Sequence, residues 1–202
     1  MKQIRFALLA LAVAAAAACS PAPDQGGNAA LETIFNRKSV RSYTEQALSS
    51  EQIETLLRAA MAAPSGMNLQ PWRFVVVTDA QVRNDLGGLS AKAPAVFVVC
   101  GETMMKGRPA AEGAEPPMVP NGNWNADCAA ATENLLLAAE ALGLGAVWTA
   151  CYPYEERMSQ VRTVLGLPEG VTPYCVVPVG YPAGDDQPKD KWKPENIHYN
   201  KW

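Results

Sequence analysis

Apolar residues recur along this chain in two periods, and the switches between them divide it into alternating helices and strands. A short helix is expected over Asn28 to Asn36, with Asn28 as its cap. Ser49-Ser50-Glu51-Gln52 has the form of a capping box, and Ile53, Leu56, Leu57, Ala60 and Met61 follow it as one helical stripe. Pro64-Ser65-Gly66 stops that helix. The β-branched runs within Arg73 to Thr78 and Ala95 to Cys100 predict buried strands. Asp127 to Leu142 reads as a helix that is apolar almost all round, with Ala129, Ala130, Ala131, Leu135, Leu136, Leu137, Ala138 and Ala139. Such a helix must be covered on every side, which in a chain of this size points to a subunit interface. Gly143 ends it. A strand over Ala146 to Thr149, a helix over Tyr154 to Leu165 and a last strand over Tyr174 to Val179 complete the pattern. Gly101 to Asn125 is rich in Pro and Gly and has no period, so it reads as a long loop that shapes a substrate site or packs on a dimer surface. Met104, Met105, Met118 and Trp124 would give it an adaptable apolar wall. The expected fold is an α+β sandwich, dimeric through its central helix.

Composition narrows the function classes. The 202 residues are 49% hydrophobic and 18% charged, the balance of a globular chain long enough for one real core. A net charge of −3 argues against a nucleic-acid partner, because nonspecific affinity for phosphate backbones needs clustered Lys and Arg. The single histidine, His198, disfavours a histidine-based triad and any poly-His metal centre, and no metal is expected. The five cysteines contain no Cys-x-x-Cys. Cys100, Cys128, Cys151 and Cys175 read as small buried hydrophobes, with a disulfide left open if the compartment is oxidising.

The first residues carry a different message. Lys2 and Arg5 precede an unbroken apolar stretch from Phe6 to Ala18, too short for a membrane span of ~20 residues. Residues 1–18 are expected to be a signal peptide. Ala16-Ala17-Ala18-Cys19 resembles a bacterial lipoprotein signal, with Cys19 lipidated and residues 19–28 a flexible tether; cleavage at an ordinary Ala-x-Ala site is the alternative. Either way the expected location is the periplasmic side of the cell envelope, with membrane contact through a lipid anchor only. Residues 29–202 form the folded domain.

Candidate chemistry falls in three loops. In the extended run Arg37-Lys38-Ser39-Val40-Arg41, alternate side chains share a face, so Arg37, Ser39 and Arg41 project together. Two guanidiniums flanking a hydroxyl suit a phosphate, although a solvated basic turn has the same composition. Pro64 to Trp72 is a proline-stiffened loop that offers two amides, Asn68 and Gln70, able to read the edge of a planar heterocycle or simply to solvate a turn. Lys191-Trp192-Lys193-Pro194 is basic again at i and i+2.

Taken in order with Gly143-Leu144-Gly145-Ala146-Val147-Trp148-Thr149, these elements resemble the nitroreductase family of FMN-dependent oxidoreductases, from about Leu31 to Lys193. The resemblance implies a mixed, mainly antiparallel sheet flanked by helices, in a homodimer with FMN at the subunit interface. It implies that Arg37, Lys38 and Ser39 hold the phosphate and ribityl chain, and that Arg41 approaches the pyrimidine side of the ring. Asn68 would hydrogen-bond the flavin, with Pro64 and Ser65 contributed by the partner subunit. Trp148, Thr149 and Ala150 would pass the flavin face near N5. Lys191 and Lys193 match a Lys-x-Arg pair that closes on the phosphate, with lysine losing the bidentate fork at the second position. The implied reaction is hydride transfer through flavin N5, from NAD(P)H to a small-molecule acceptor such as a nitroaromatic or quinone, with no dedicated acid or base and so no catalytic side chain. Export sets NAD(P)H use in question. An envelope flavin-binding module without turnover, or a reductive dehalogenase of the same fold, stay open beside it.

Overall fold

The structure, a computed structural model, describes residues 28–202. The expected signal peptide, Cys19 and the tether up to residue 27 lie outside the described residues. Asn28 is the cap of helix α1 (Ala29–Asn36), its side chain accepting from the Ala30 and Leu31 N–H groups. Helix α2 (Ser50–Met61) begins with the expected capping box, Ser49 and Gln52 each bonding the other's backbone N–H.

A five-stranded antiparallel sheet forms the centre, in the order β1 (Trp72–Val77), β2 (Ala95–Glu102), β7 (Val171–Gly180) and β5 (Gly145–Ala146), with β6 (Thr149–Ala150) also on β7. Helices cover both faces. Ala95, Phe97 and Val99 of β2 enter the core shared with α2 and α4 (Trp124–Ala141). Val96, Val98 and Cys100 enter a second core with Leu86 of α3 (Ala80–Leu86) and Met158 and Val161 of α5 (Glu155–Leu165). Alternate side chains therefore both meet apolar layers, which is why β2 reads as a continuous apolar run although its partners are antiparallel.

Four details differ from the sequence expectations. The strand expected over Ala146 to Thr149 is split into β5 and β6. Their register on β7 is continuous, and Pro178 lies opposite the gap. Proline has no N–H to give the ladder, and the link there is Val147 N–H to the Pro178 carbonyl at 3.3 Å. Helix α3 was not visible in the pattern: Asp79 caps it, but it is short and only Leu86 is buried. The segment Gly101 to Asn125 is not all loop, since β3 (Met104–Lys106) pairs with β4 (Met118–Pro120). Helix α4 starts at Trp124, earlier than the apolar run suggested. It is buried along Trp124, Cys128, Ala131, Leu135 and Ala139, while Ala126 and Glu133 remain exposed. The four core cysteines are buried free thiols. The fold is the expected α+β sandwich.

Candidate functional site

The basic segment after α1 is positioned by the edge of the sheet. Ser39 forms a parallel bridge with Ala146, and the Val40 N–H donates to the Ala146 carbonyl at 3.0 Å. Val40 is buried against Gly145, where a Cβ would stand 2.6 Å from the valine side chain. The inward valine turns its neighbours outward. Tyr43 locks the exit, its hydroxyl donating to the Val40 carbonyl at 2.6 Å; burial raises the affinity of this phenol for its proton, with Arg41 opposing and Asp186 adding to the effect.

Helix α4 supplies carboxylates behind this segment. Glu133 meets the Arg37 Nε at 3.4 Å. Lys38 donates to both Glu140 oxygens, at 3.0 and 3.2 Å. In front lies a cleft of about 330 Å³ lined by Arg37, Lys38, Ser39 and Arg41, and closed from the other side by Asp186, Gln187, Lys189 and Lys191 of the C-terminal tail. Arg41, Lys189 and Lys191 have no carboxylate partner within ion-pair distance among the described residues. Five cations and one carboxylate line this cleft, and two of the cations are neutralised from behind, so it presents net positive charge to solvent.

Lys193 is not on the cleft wall. It precedes the 3-10 turn Pro194–Asn196. Lys189, which the motif reading passed over, takes the place beside Lys191. The signal existed: Lys189, Lys191 and Lys193 share one alternation, and only the path of the tail chooses which two enter.

The amide loop sits elsewhere in the same chain. Between α2 and β1, Met67, Asn68 and Gln70 all have left-handed φ, an unusual run for residues with a Cβ. Side chains hold it in place. The Ser65 hydroxyl accepts from the Gln70 N–H at 3.0 Å, and the exposed Asn68 accepts from the Gln70 amide at 2.9 Å. Asp127 of α4 accepts from the Gly66 N–H at 2.9 Å. Pro64 is exposed and Ser65 half-buried in the same loop. With 3.6 residues per turn, Glu133 and Glu140 lie roughly 120–140° around α4 from Asp127, and roughly 9 and 20 Å along it. The amide loop and the basic cleft thus flank different faces of one helix.

The segment after β5 continues from the strand that pairs with Ser39. Trp148 packs edge-on against Tyr174, ring centres 5.5 Å apart. The Thr149 hydroxyl donates to the Val176 carbonyl at 2.6 Å, and Ala150 is exposed. Structure therefore gathers Arg37, Lys38, Ser39, Arg41 and Lys191 at one cleft and places Trp148, Thr149 and Ala150 along the adjoining edge. Pro64, Ser65 and Asn68 stand apart from it within one chain.

Helices over both faces of an antiparallel sheet, with a cationic cleft at its edge, define an α+β protein with an exposed, positively charged recess. Residues 34–181 match the sequence profile of the Nitroreductase family. The chain belongs to that family. A crystal structure from Bacteroides thetaiotaomicron, of a protein assigned as NADH dehydrogenase/NAD(P)H nitroreductase, superposes with a TM-score of 0.77 at 44% identity, covering 87% of this chain and 99% of that one. A protein of Archaeoglobus fulgidus with the same assignment is 39% identical over 181 residues, 85% of this chain and 98% of the relative. An FMN reductase (NADPH) of Bacillus subtilis is 30% identical over 186 residues, 85% of this chain and 73% of the relative.

Proposed function

We propose that this chain, an oxidoreductase of the nitroreductase family, binds FMN between two copies of itself and uses it to reduce small acceptors such as nitroaromatics or quinones. The observation that carries this reading is the cleft at the sheet edge, where Arg41, Lys189 and Lys191 face solvent without carboxylate partners among the described residues. Their charge and donors fit a phosphate, and the Ser39 hydroxyl fits a polyol chain beside it. The names of the relatives, an FMN reductase among them, support the cofactor and NAD(P)H as a donor.

In this reading Arg37 and Lys191 clamp the phosphate, with Lys189 beside them, while Lys38 acts through Glu140 to anchor the strand. Arg41 reaches the ring edge, and Trp148, Thr149 and Ala150 form the wall along one ring face. Bound FMN would supply two-electron transfer between donor and acceptor. The residues of the chain orient the ring, balance its charge and exclude water. The amide loop lies on another face of α4 from the cleft, which supports a homodimer in which Pro64, Ser65 and Asn68 of one copy complete the site of the other. A lipid anchor at Cys19, on the periplasmic side, belongs to the same proposal and rests on the signal pattern of residues 1–19; a Cys19→Ser variant is expected to lose incorporated radiolabelled palmitate and membrane association.

The first test is the visible spectrum of residues 20–202 after incubation with FMN and desalting. About one flavin per chain on a species with the sedimentation mass of a dimer is the expected result. NADH, NADPH and a reduced viologen are then supplied in turn with a quinone acceptor. A folded, colourless protein would overturn the FMN reading, and flavin retention with no turnover from any donor would leave a binding module in its place.

A further inference from the structure

Asp127 is buried, with 5% of its surface exposed. One carboxylate oxygen accepts from the Gly66 N–H at 2.9 Å, and the other is buried with no hydrogen-bond partner among the described residues. An unpartnered buried carboxylate oxygen is costly, so its retention calls for an explanation. Its place in the first turn of α4 offsets part of the cost, because the helix N-terminus favours negative charge.

The loop that Asp127 holds supplies the rest. Met67, Asn68 and Gln70 in left-handed conformations store backbone strain that persists only where the surroundings over-determine it. Asp127 grips the loop entrance at Gly66, and a Cβ there would stand 2.7 Å from the Asn123 amide at the start of α4. Two turns further along α4, at nearly the same azimuth, the Asn134 amide donates to the Ala59 carbonyl in the last turn of α2, at 3.1 Å. Ala131 lies between them, fully buried, and lets the helices approach closely. One face of α4 thus clamps both the end of α2 and the loop that leaves it.

We propose that Asp127 is a positioning residue: through the Gly66 N–H it holds the strained Pro64–Gln70 loop in the one conformation that presents Asn68 to the flavin ring. The proposal rests on the FMN reading for its consequence, but its structural half stands without cofactor. Asp127 does not touch the ligand. It sets the geometry of a residue that does, with Ser65 closing the far end of the loop on Gln70.

Hydrogen exchange on the full apo-protein, followed by FMN titration, tests it. Asp127→Ala is expected to speed exchange of the amides of residues 65–70 at least tenfold, leave β7 and α5 unchanged, and weaken FMN binding at least tenfold. Asp127→Asn keeps the acceptor oxygen and is expected to restore both readouts to within about threefold of wild type. Asp127→Ser, whose oxygen is one bond shorter, replaces the alanine variant if that one does not fold. Leu86→Ala, in the core on the far side of the sheet, serves as a destabilised control. Unchanged loop exchange in Asp127→Ala would overturn the proposal, as would equal loosening of loop and flavin in Leu86→Ala at matched melting temperature. Failure of wild type to bind FMN would sink the cofactor reading alone, while the exchange data still judge the clamp.

Discussion

Lys38 and Lys191 line the same cleft, yet their surroundings give them different work. Lys38 is bound to both oxygens of Glu140 and is only 25% exposed, so its charge is balanced inside the fold. Lys191 is exposed on the tail with no carboxylate partner among the described residues. A hydrogen bond between charged groups contributes about 1.5–3 kcal/mol, and exposure puts Lys191 near the lower end. Lys191→Ala is therefore expected to weaken FMN binding about tenfold in a fluorescence titration. Lys193→Ala should change it less than about twofold, because a charge outside the cleft is screened by solvent and salt. Lys38→Ala should act on stability, lowering the melting temperature through an unpaired Glu140. The sequence reading pairs Lys191 with Lys193, although Lys189 shares their alternation. Only the course of the tail separates Lys189 and Lys191 from Lys193.

Among the elements, the join between the basic segment and β5 is the narrowest. Gly145 leaves no room for a methyl group beside Val40. Gly145→Ala should overpack that contact at a cost of about 1–3 kcal/mol and push Ser39 and Arg41 out of line. Adding Val40→Ala should recover part of both the stability and the FMN affinity, which a double-mutant cycle of melting and titration would measure. The long periodic elements were legible. The α2 stripe and its box, the apolar runs of β1 and β2, and the apolar body of α4 all stand where their patterns put them, because burial of a whole face leaves a repeated mark. Helix α3 and the β3–β4 hairpin were not, being too short to repeat any mark. The break between β5 and β6 depends on Pro178, distant in sequence and opposite in register.

For the whole molecule, the buried thiols set an alkaline limit. Removal from water, the main cause in each case, pushes Cys100 and Cys128 up to about 12 and Cys151 to about 11, from a usual 9.0. Cys175 is raised as well, by burial above all. Above pH 9 the unfolded chain releases these protons while the folded chain keeps them, so the folded state binds more protons and stability falls as pH rises. It is fully present below about pH 9 and is lost through about pH 11–12. Each thiol contributes a slope approaching 1.36 kcal/mol per pH unit in that window. Melting scans should show a flat plateau up to about pH 8.5 and a steep decline above it. A thiol reagent at pH 8 should label none of the four until the protein unfolds.

The sequence by itself determined the alternation of helices and strands, the apolar identity of the central helix, the buried character of the cysteines and the residue types able to meet a phosphate and a planar ring. These are local properties, since periodicity, capping and side-chain chemistry act within a few residues. Tertiary structure decided which lysines enter the cleft, that Lys38 is balanced by Glu140, and that a carboxylate of α4 grips a strained loop. It also decided that the amide loop and the basic segment flank different faces of α4. Those outcomes depend on distances between residues far apart in the chain, and packing around one central helix sets such distances.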